Sequence, residues 1–269
     1  MDALIFYHYS KKLTGSLFNA FEYYLTILNK NKNFYLFLLD CPKSDLPYLY
    51  SIFENRYNLE NIDYKKNIVT LPFYKIVHQK FNNVLVLDFG TIDKTKGCFT
   101  CKNLTVICEY TKKDSKYMYS KKFTPSTYYG EMPFITYKDK EYRMKIGFKY
   151  FKKLKKVNSA VYINSPYNND FSFIKDLPIP KDKPLIYKSD NHLSNLFEQF
   201  DEYVYYHANK WFDPHPRLFM ECFYYDKKIH YFNPLNIMDG SYYRYNDLIQ
   251  NGLKDRFLDE NDEIVRIFL

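Results

Sequence analysis

The first 40 residues carry two kinds of hydrophobic pattern in succession. Asp2–Tyr9 (DALIFYHY) is a nearly continuous apolar and aromatic run, as a strand buried on both faces requires. A polar turn, KKLTGS, follows; then Leu17, Phe21, Tyr24 and Leu28 recur at the spacing of one helix face. Phe34–Leu39 (FYLFLL) is a second buried strand, closed by Asp40, Cys41 and Pro42. Strand, helix and strand in so short a stretch form a βαβ unit and predict a parallel sheet with right-handed crossovers.

The alternation continues along the chain. Ser44–Tyr57 reads as a helix, and Asn67–Leu71, Asn83–Phe89 (NVLVLDF) and Asn103–Glu109 (NLTVICE) read as strands. Residues 110–137, rich in Tyr, Lys, Ser and Thr with Pro125 and Pro133, read as irregular. Lys138–Val157 reads as a strongly basic amphipathic helix with Tyr142, Ile146, Tyr150 and Leu154 on one face. Ser159–Asn164 is a strand, the proline-rich stretch Ser165–Pro184 a loop, Leu185–Lys188 a short strand and Leu193–Phe200 a helix. Tyr203–His207 (YVYYH), Pro216–Tyr225 and Lys228–Phe232 (KIHYF) then read as strand, helix and strand, with a closing helix inside Tyr243–Phe257. Two α/β blocks follow, 1–136 and 137–269, and there is no internal repeat.

Composition narrows the chemistry. The seven glycines (Gly15, Gly90, Gly97, Gly130, Gly147, Gly240, Gly252) write neither GxGxxG nor GxxxxGK[ST], which excludes a fingerprint dinucleotide site, a P-loop and a kinase glycine loop. No apolar run approaches the roughly 18 residues of a membrane span, and MDALIFYHYS lacks the features of a signal peptide. Five cysteines are a sparse, odd set that suits a reducing compartment, so a cytoplasmic protein is expected (host cytoplasm if viral). The net charge is +8, but only six of the 39 basic residues are arginine. Enrichment in Lys, Tyr, Phe, Ile and Asn is what an AT-rich genome produces, and this weakens any inference from charge to a nucleic-acid partner.

The most informative segment is Tyr203–Asn233, in which a buried strand runs through a loop into a helix opening with Asp213, Pro214, His215 and Pro216. The free N–H groups and dipole of a helix start favour an anion there. Arg217 in that first turn would reinforce a phosphate site, and Glu221 lies one turn on along the same face, where a carboxylate can accept from ribose hydroxyls. The plain alternative is a surface Arg–Glu pair, worth a few tenths of a kcal/mol.

The order of elements around this segment (LSNLFEQF, YVYYH, DPHPRLFMECFYY, KIHYF) resembles the nucleotide-binding half of GT-B glycosyltransferases. The opening strand, the loop with Gly15 and the helix after it are similar to the family's first domain. The resemblance implies two Rossmann-like domains facing a cleft, the second one small, with a nucleotide-sugar such as a UDP-sugar as co-substrate and no further cofactor. It implies donor binding by Gly15, Lys188, Pro214, His215, Arg217 and Glu221. A carboxylate at a strand end of the first domain, Glu109 or Asp88 with Asp93 as a competitor, would take the proton from the acceptor hydroxyl. Only one of the two glutamates of the longer bacterial motif has a counterpart, Glu221. Small enzymes of this type include phage glucosyltransferases that modify hydroxymethylated DNA bases, so DNA is one expected acceptor and a surface polysaccharide or other glycan another. A non-catalytic module holding nucleic acid or protein on a degenerate fold of this kind is the alternative.

Other groups carry weaker signals. His8 and His207 end strands, where a histidine either lines a cleft or packs. Cys98 and Cys101, with Cys108 nearby, lack a fourth zinc ligand at any usual spacing, so no metal is expected. DFG at Asp88–Gly90 has neither the glycine loop nor the catalytic loop of a kinase around it. The basic run EYRMKIGFKYFKKLKK suits phosphates or an anionic surface as well as an ordinary solvated helix face.

Overall fold

The computed structural model describes residues 1–7, 9, 13–87, 99–107, 134–136, 145–164, 171–187, 193–207, 217–238 and 240–269. Their elements, in chain order, are β1 (Asp2–Phe6), α1 (Gly15–Leu28), β2 (Phe34–Leu39), α2 (Leu46–Arg56), β3 (Ile68–Leu71), β4 (Lys80–Val86), β5 (Thr100–Val106) and β6 (Phe134–Thr136). Then come β7 (Val161–Asn164), β8 (Leu185–Tyr187), β9 (Glu202–Tyr206), α3 (Arg217–Tyr224), β10 (Lys228–Phe232), α4 (Gly240–Asn251) and α5 (Glu263–Arg266). They divide into two compact units, Met1–Phe151 with Asp255–Leu269, and Lys152–Lys254. Residues 145–151 and 255–269, which the sequence division gives to the second block, lie in the first unit.

The chain is therefore α/β with two parallel sheets, as its alternating pattern predicts. The first sheet has the order β3-β2-β1-β4-β5-β6 and the second β10-β9-β7-β8, and every registered pair is parallel. In each sheet the order reverses once, between β1 and β4 and between β7 and β9. In open α/β sheets such reversals are where ligands bind, outside the carboxyl ends of the strands.

Helix α1 shows what the apolar spacing misses. Its start is capped by Thr14, whose side chain accepts from the Leu17 N–H at 3.3 Å. The predicted face is buried, but so are Phe18, Tyr23, Leu25 and Ile27, together with Asn19, Glu22 and Thr26. Phe21 stacks on Phe53 of α2 at 3.7 Å, and the Tyr24 hydroxyl donates to the Tyr64 carbonyl. Glu22, fully buried, accepts from the Tyr57 hydroxyl at 2.5 Å and from the Gly147 N–H at 2.9 Å.

That last bond corrects the described part of the basic helix expected over 138–157, whose residues 138–144 lie outside the described residues. Among its described residues, 145–157, there is no α-helix, only a 3-10 turn at Phe148–Tyr150. The backbone hydrogen bonds go outward instead. Ile146 donates to the Arg256 carbonyl, Leu258 donates back to Ile146, and Asn58 donates to Tyr150. Gly147 has ψ 54°, outside the helical region, and a Cβ there would sit 3.0 Å from Cβ of Glu22. Ile146 and Tyr150 are buried as their spacing suggests, by a strap rather than by a helix face.

Two further readings change. Phe134–Thr136, inside the stretch read as irregular, is β6, paired in parallel with Leu104–Val106 of β5. Leu193–Glu198 is a 3-10 rather than an α-helix.

The second sheet is covered on both faces. On one, Val161, Ile163 and Val204 pack with Ile174 and Ile179. On the other, Phe219 of α3 meets Tyr203 (6.0 Å), Tyr205 (4.7 Å) and Tyr231 (5.8 Å). No helix among the described residues is long and apolar enough to cross a membrane.

Candidate functional site

Two buried polar residues mark the carboxyl edge of the second sheet. Strand β7 ends at Asn164 and β9 leads into His207, and these two residues are 4% and 2% exposed. The His207 N–H donates to the Phe232 carbonyl at 2.9 Å, so the β9–β10 ladder runs one residue past the end of β9. The chain after β9 leads to α3, described from Arg217.

Arg217 and Glu221 meet each other. Nε of Arg217 donates to Oε1 of Glu221 at 2.5 Å, with the side chains 6% and 2% exposed. The surface-pair reading is thereby corrected: the spacing places both on one helix face, and that face is buried. The cause is local, because Phe219, Met220 and Cys222 are fully buried and carry the helix down onto the tyrosines of β9 and β10. A cation in the first turn opposes the helix dipole, and Glu221 offsets it. Burial, and then the neighbouring Glu221, hold the Cys222 thiol well above its ordinary range, which makes it an inert core thiol.

The other expected site residues divide as follows. Gly15 is the first residue of α1, directly after the capping Thr14, and belongs to the first unit. Glu109, Asp88, Asp93, Lys188, Pro214, His215, His8, Cys98 and Cys108 lie outside the described residues. Cys101 is buried in β5, with its thiol pushed up to about 12 by desolvation. No group of three or more metal-ligating side chains occurs among the described residues. At the carboxyl edge of the first sheet the Tyr9 hydroxyl donates to Asp45 at 3.1 Å. There burial, and then Asp45, push the Cys41 thiol up to about 11.

Comparison with models of protein families, with curated proteins and with solved structures finds no match.

Sequence reasoning missed a charged network at the opposite, amino edge of the second sheet. Lys183 Nζ lies 2.7 Å from Asp201 Oδ2 and 2.7 Å from Glu202 Oε1. Glu202 Oε2 faces His230 Nε2 at 2.6 Å and Lys228 Nζ at 3.5 Å. The parallel register Lys228↔Glu202 is what aligns these groups, and strand pairing is the signal that a linear sequence hides. Nearby, Lys227 donates to the carbonyls of Phe197 and Phe200 at 2.6 and 2.7 Å, with burial lowering its pKa. It closes the end of the 3-10 turn.

Two predictions follow from these geometries. Removing one member of a buried ion pair leaves an uncompensated charge, so Arg217→Ala or Glu221→Ala alone should cost about 3–5 kcal/mol in urea unfolding. The double variant Arg217→Met with Glu221→Leu should lie within about 1 kcal/mol of the wild type or above it. Equal, small losses in both single variants would show a pair of no structural weight. The amino-edge network sets a pH dependence. Burial alone would raise Asp201 and Glu202, but the bonds from Lys183, with His230 also on Glu202, hold both below their ordinary 3.8 and 4.5. A lowered folded pKa gives stability that is present above the ordinary value and is lost as pH falls through the folded one. Unfolding curves should therefore weaken below about pH 4.5. Lys183→Met should flatten that acid limb, converging on the wild type at the lowest pH; an unchanged slope would contradict the assignment.

Proposed function

We propose that the chain is a nucleotide-sugar-dependent glycosyltransferase whose donor diphosphate binds at the carboxyl edge of the second sheet. The observation that carries the reading is the buried Arg217–Glu221 pair on the helix that follows β9 in a parallel sheet whose strand order reverses beside β9. Ligands favour that edge in open α/β sheets, and a buried arginine there is a strong partner for phosphate. Arg217 takes the diphosphate and Glu221 the ribose hydroxyls. Because the two side chains already hold each other, the ligand shares Arg217 with Glu221 instead of meeting a lone cation.

In the proposed reaction an acceptor hydroxyl attacks the anomeric carbon, the bond from that carbon to the diphosphate breaks, and a carboxylate takes the acceptor's proton. Glu109 and Asp88 are the carboxylates proposed from the sequence. Charge on the leaving diphosphate falls to Arg217, to the start of α3 and to Lys188. A DNA acceptor drew support from the basic helix; residues 145–157 do not form one, so the proposal is an acceptor hydroxyl, with hydroxymethylated DNA and neutral glycan as the two arms of an assay.

Thermal shifts with a panel of UDP-, GDP- and CMP-sugars test this first. At least one should raise the melting temperature and be hydrolysed slowly, with release of its nucleotide. Arg217→Lys and Glu221→Gln, which keep bulk and a polar contact, should weaken that ligand about ten- to a hundredfold, or about 1.4–2.8 kcal/mol. A panel with no binder removes the function; a binder held equally well by both variants removes the site.

A further inference from the structure

Asn164 is the last residue of β7, on the strand where the order of the second sheet turns, with β8 on one side and β9 on the other. It is 4% exposed. Its Nδ2 donates to the Tyr203 hydroxyl at 2.7 Å, across the face that Tyr162 and Tyr203 share by stacking. Its Oδ1 is buried and meets no hydrogen-bond donor among the described residues. A buried polar atom left without a partner is costly, and native proteins keep few of them. A leucine there, with phenylalanine in place of Tyr203, would fill the same space without that cost. The amide therefore asks for an explanation other than stability, and its position supplies one: the carboxyl end of a strand at a reversal of strand order is where open α/β sheets meet their ligands.

We infer that Asn164 is a ligand-recognition residue, its Oδ1 accepting a hydrogen bond from an N–H or O–H group of a bound nucleoside. The nucleoside identity rests on the proposed function; the acceptor role rests on the amide itself. Tyr203 acts as its positioning residue. It is fully buried, and desolvation holds its phenol far above the ordinary value, so it stays a neutral hydroxyl that fixes the amide's rotation. A bond made there discriminates strongly, since a ligand lacking the donor leaves the acceptor unpaired.

The test is the double variant Asn164→Leu with Tyr203→Phe, which removes both ends of the side-chain bond and the leftover acceptor together. Replacing both partners by apolar groups is close to neutral for folding. Melting temperatures are measured with and without UDP, GDP, CDP and, as a probe of the sugar alone, ribose 5-phosphate. The inference expects the ligand-free variant to melt no lower than the wild type, and the nucleotide that stabilises the wild type to bind it at least tenfold more weakly. A response to ribose 5-phosphate that is lost in the variant places the donor on the ribose; a loss confined to whole nucleotides places it on the base. A variant that melts several degrees lower, or does not fold, makes the pair structural and overturns the inference. A variant that binds the nucleotide as tightly as the wild type overturns it while leaving the proposed function standing. No nucleotide response in the wild type overturns both.

Discussion

Every registered strand pair is parallel, and that one constraint organises the rest of the structure. Parallel neighbours cannot be joined by a tight turn, so each link must cross a face of the sheet. Crossing segments cover both faces, which is why β2 and β9 read as unbroken apolar runs rather than as alternating ones. The same constraint gathers strand ends. Within each unit all carboxyl termini fall along one edge, and a helix that follows a strand starts from that edge. Thr14 with α1 and Arg217 with α3 are both placed in this way, and so are Asn164 and His207. The candidate chemistry sits where it does because the sheets are parallel.

Within that frame the buried polar groups differ in how completely they are answered. Glu22 accepts two hydrogen bonds and ties α1 to Tyr57 and to the strap at Gly147. Through these bonds Glu22 holds Gly147 of the strap against α1. Arg217 and Glu221 answer each other, an arrangement whose desolvation cost can exceed its Coulombic gain. Such a pair is weak evidence for stability. It is better evidence for a task when it lies on a helix that follows the carboxyl end of a parallel strand, where we propose the donor site. Asn164 donates to the Tyr203 hydroxyl, while its Oδ1 meets no donor among the described residues.

Much of the strand pattern was readable in the sequence because a strand buried on both faces needs a run of apolar residues and little else can use one. FYLFLL and YVYYH are such runs, and β2 and β9 follow them closely. β6 was not readable: three residues paired along one edge leave too short a signal inside a Tyr- and Lys-rich stretch. Over residues 145–157, the described part of the helix expected at 138–157, the helix is absent for another reason. Ile146, Tyr150 and Leu154 have helical spacing, but a strap that dips twice into a core produces the same spacing, and the Gly147 bond to a glutamate 125 positions away decides between them. The Arg217–Glu221 relation was legible as a shared helix face. Which way that face pointed was not, since burial depends on Tyr205 and Tyr231 from two strands. Asn164 was visible as a polar residue ending VYIN, but an unanswered acceptor is a property of its surroundings and not of its neighbours in the chain.

The most direct test of the central claim is to watch Arg217 while ligand is added. Its Nε–H, bonded to Glu221 in a desolvated site, should give a slowly exchanging resonance in a ¹⁵N–¹H spectrum, assigned by its loss in Arg217→Lys. Titration with the nucleoside diphosphate that stabilises the protein should move that resonance in step with saturation, because phosphate and Glu221 then share one guanidinium. A resonance that stays in place while the nucleotide saturates the protein would contradict the account, by showing that the Arg217–Glu221 pair is a structural element remote from the ligand.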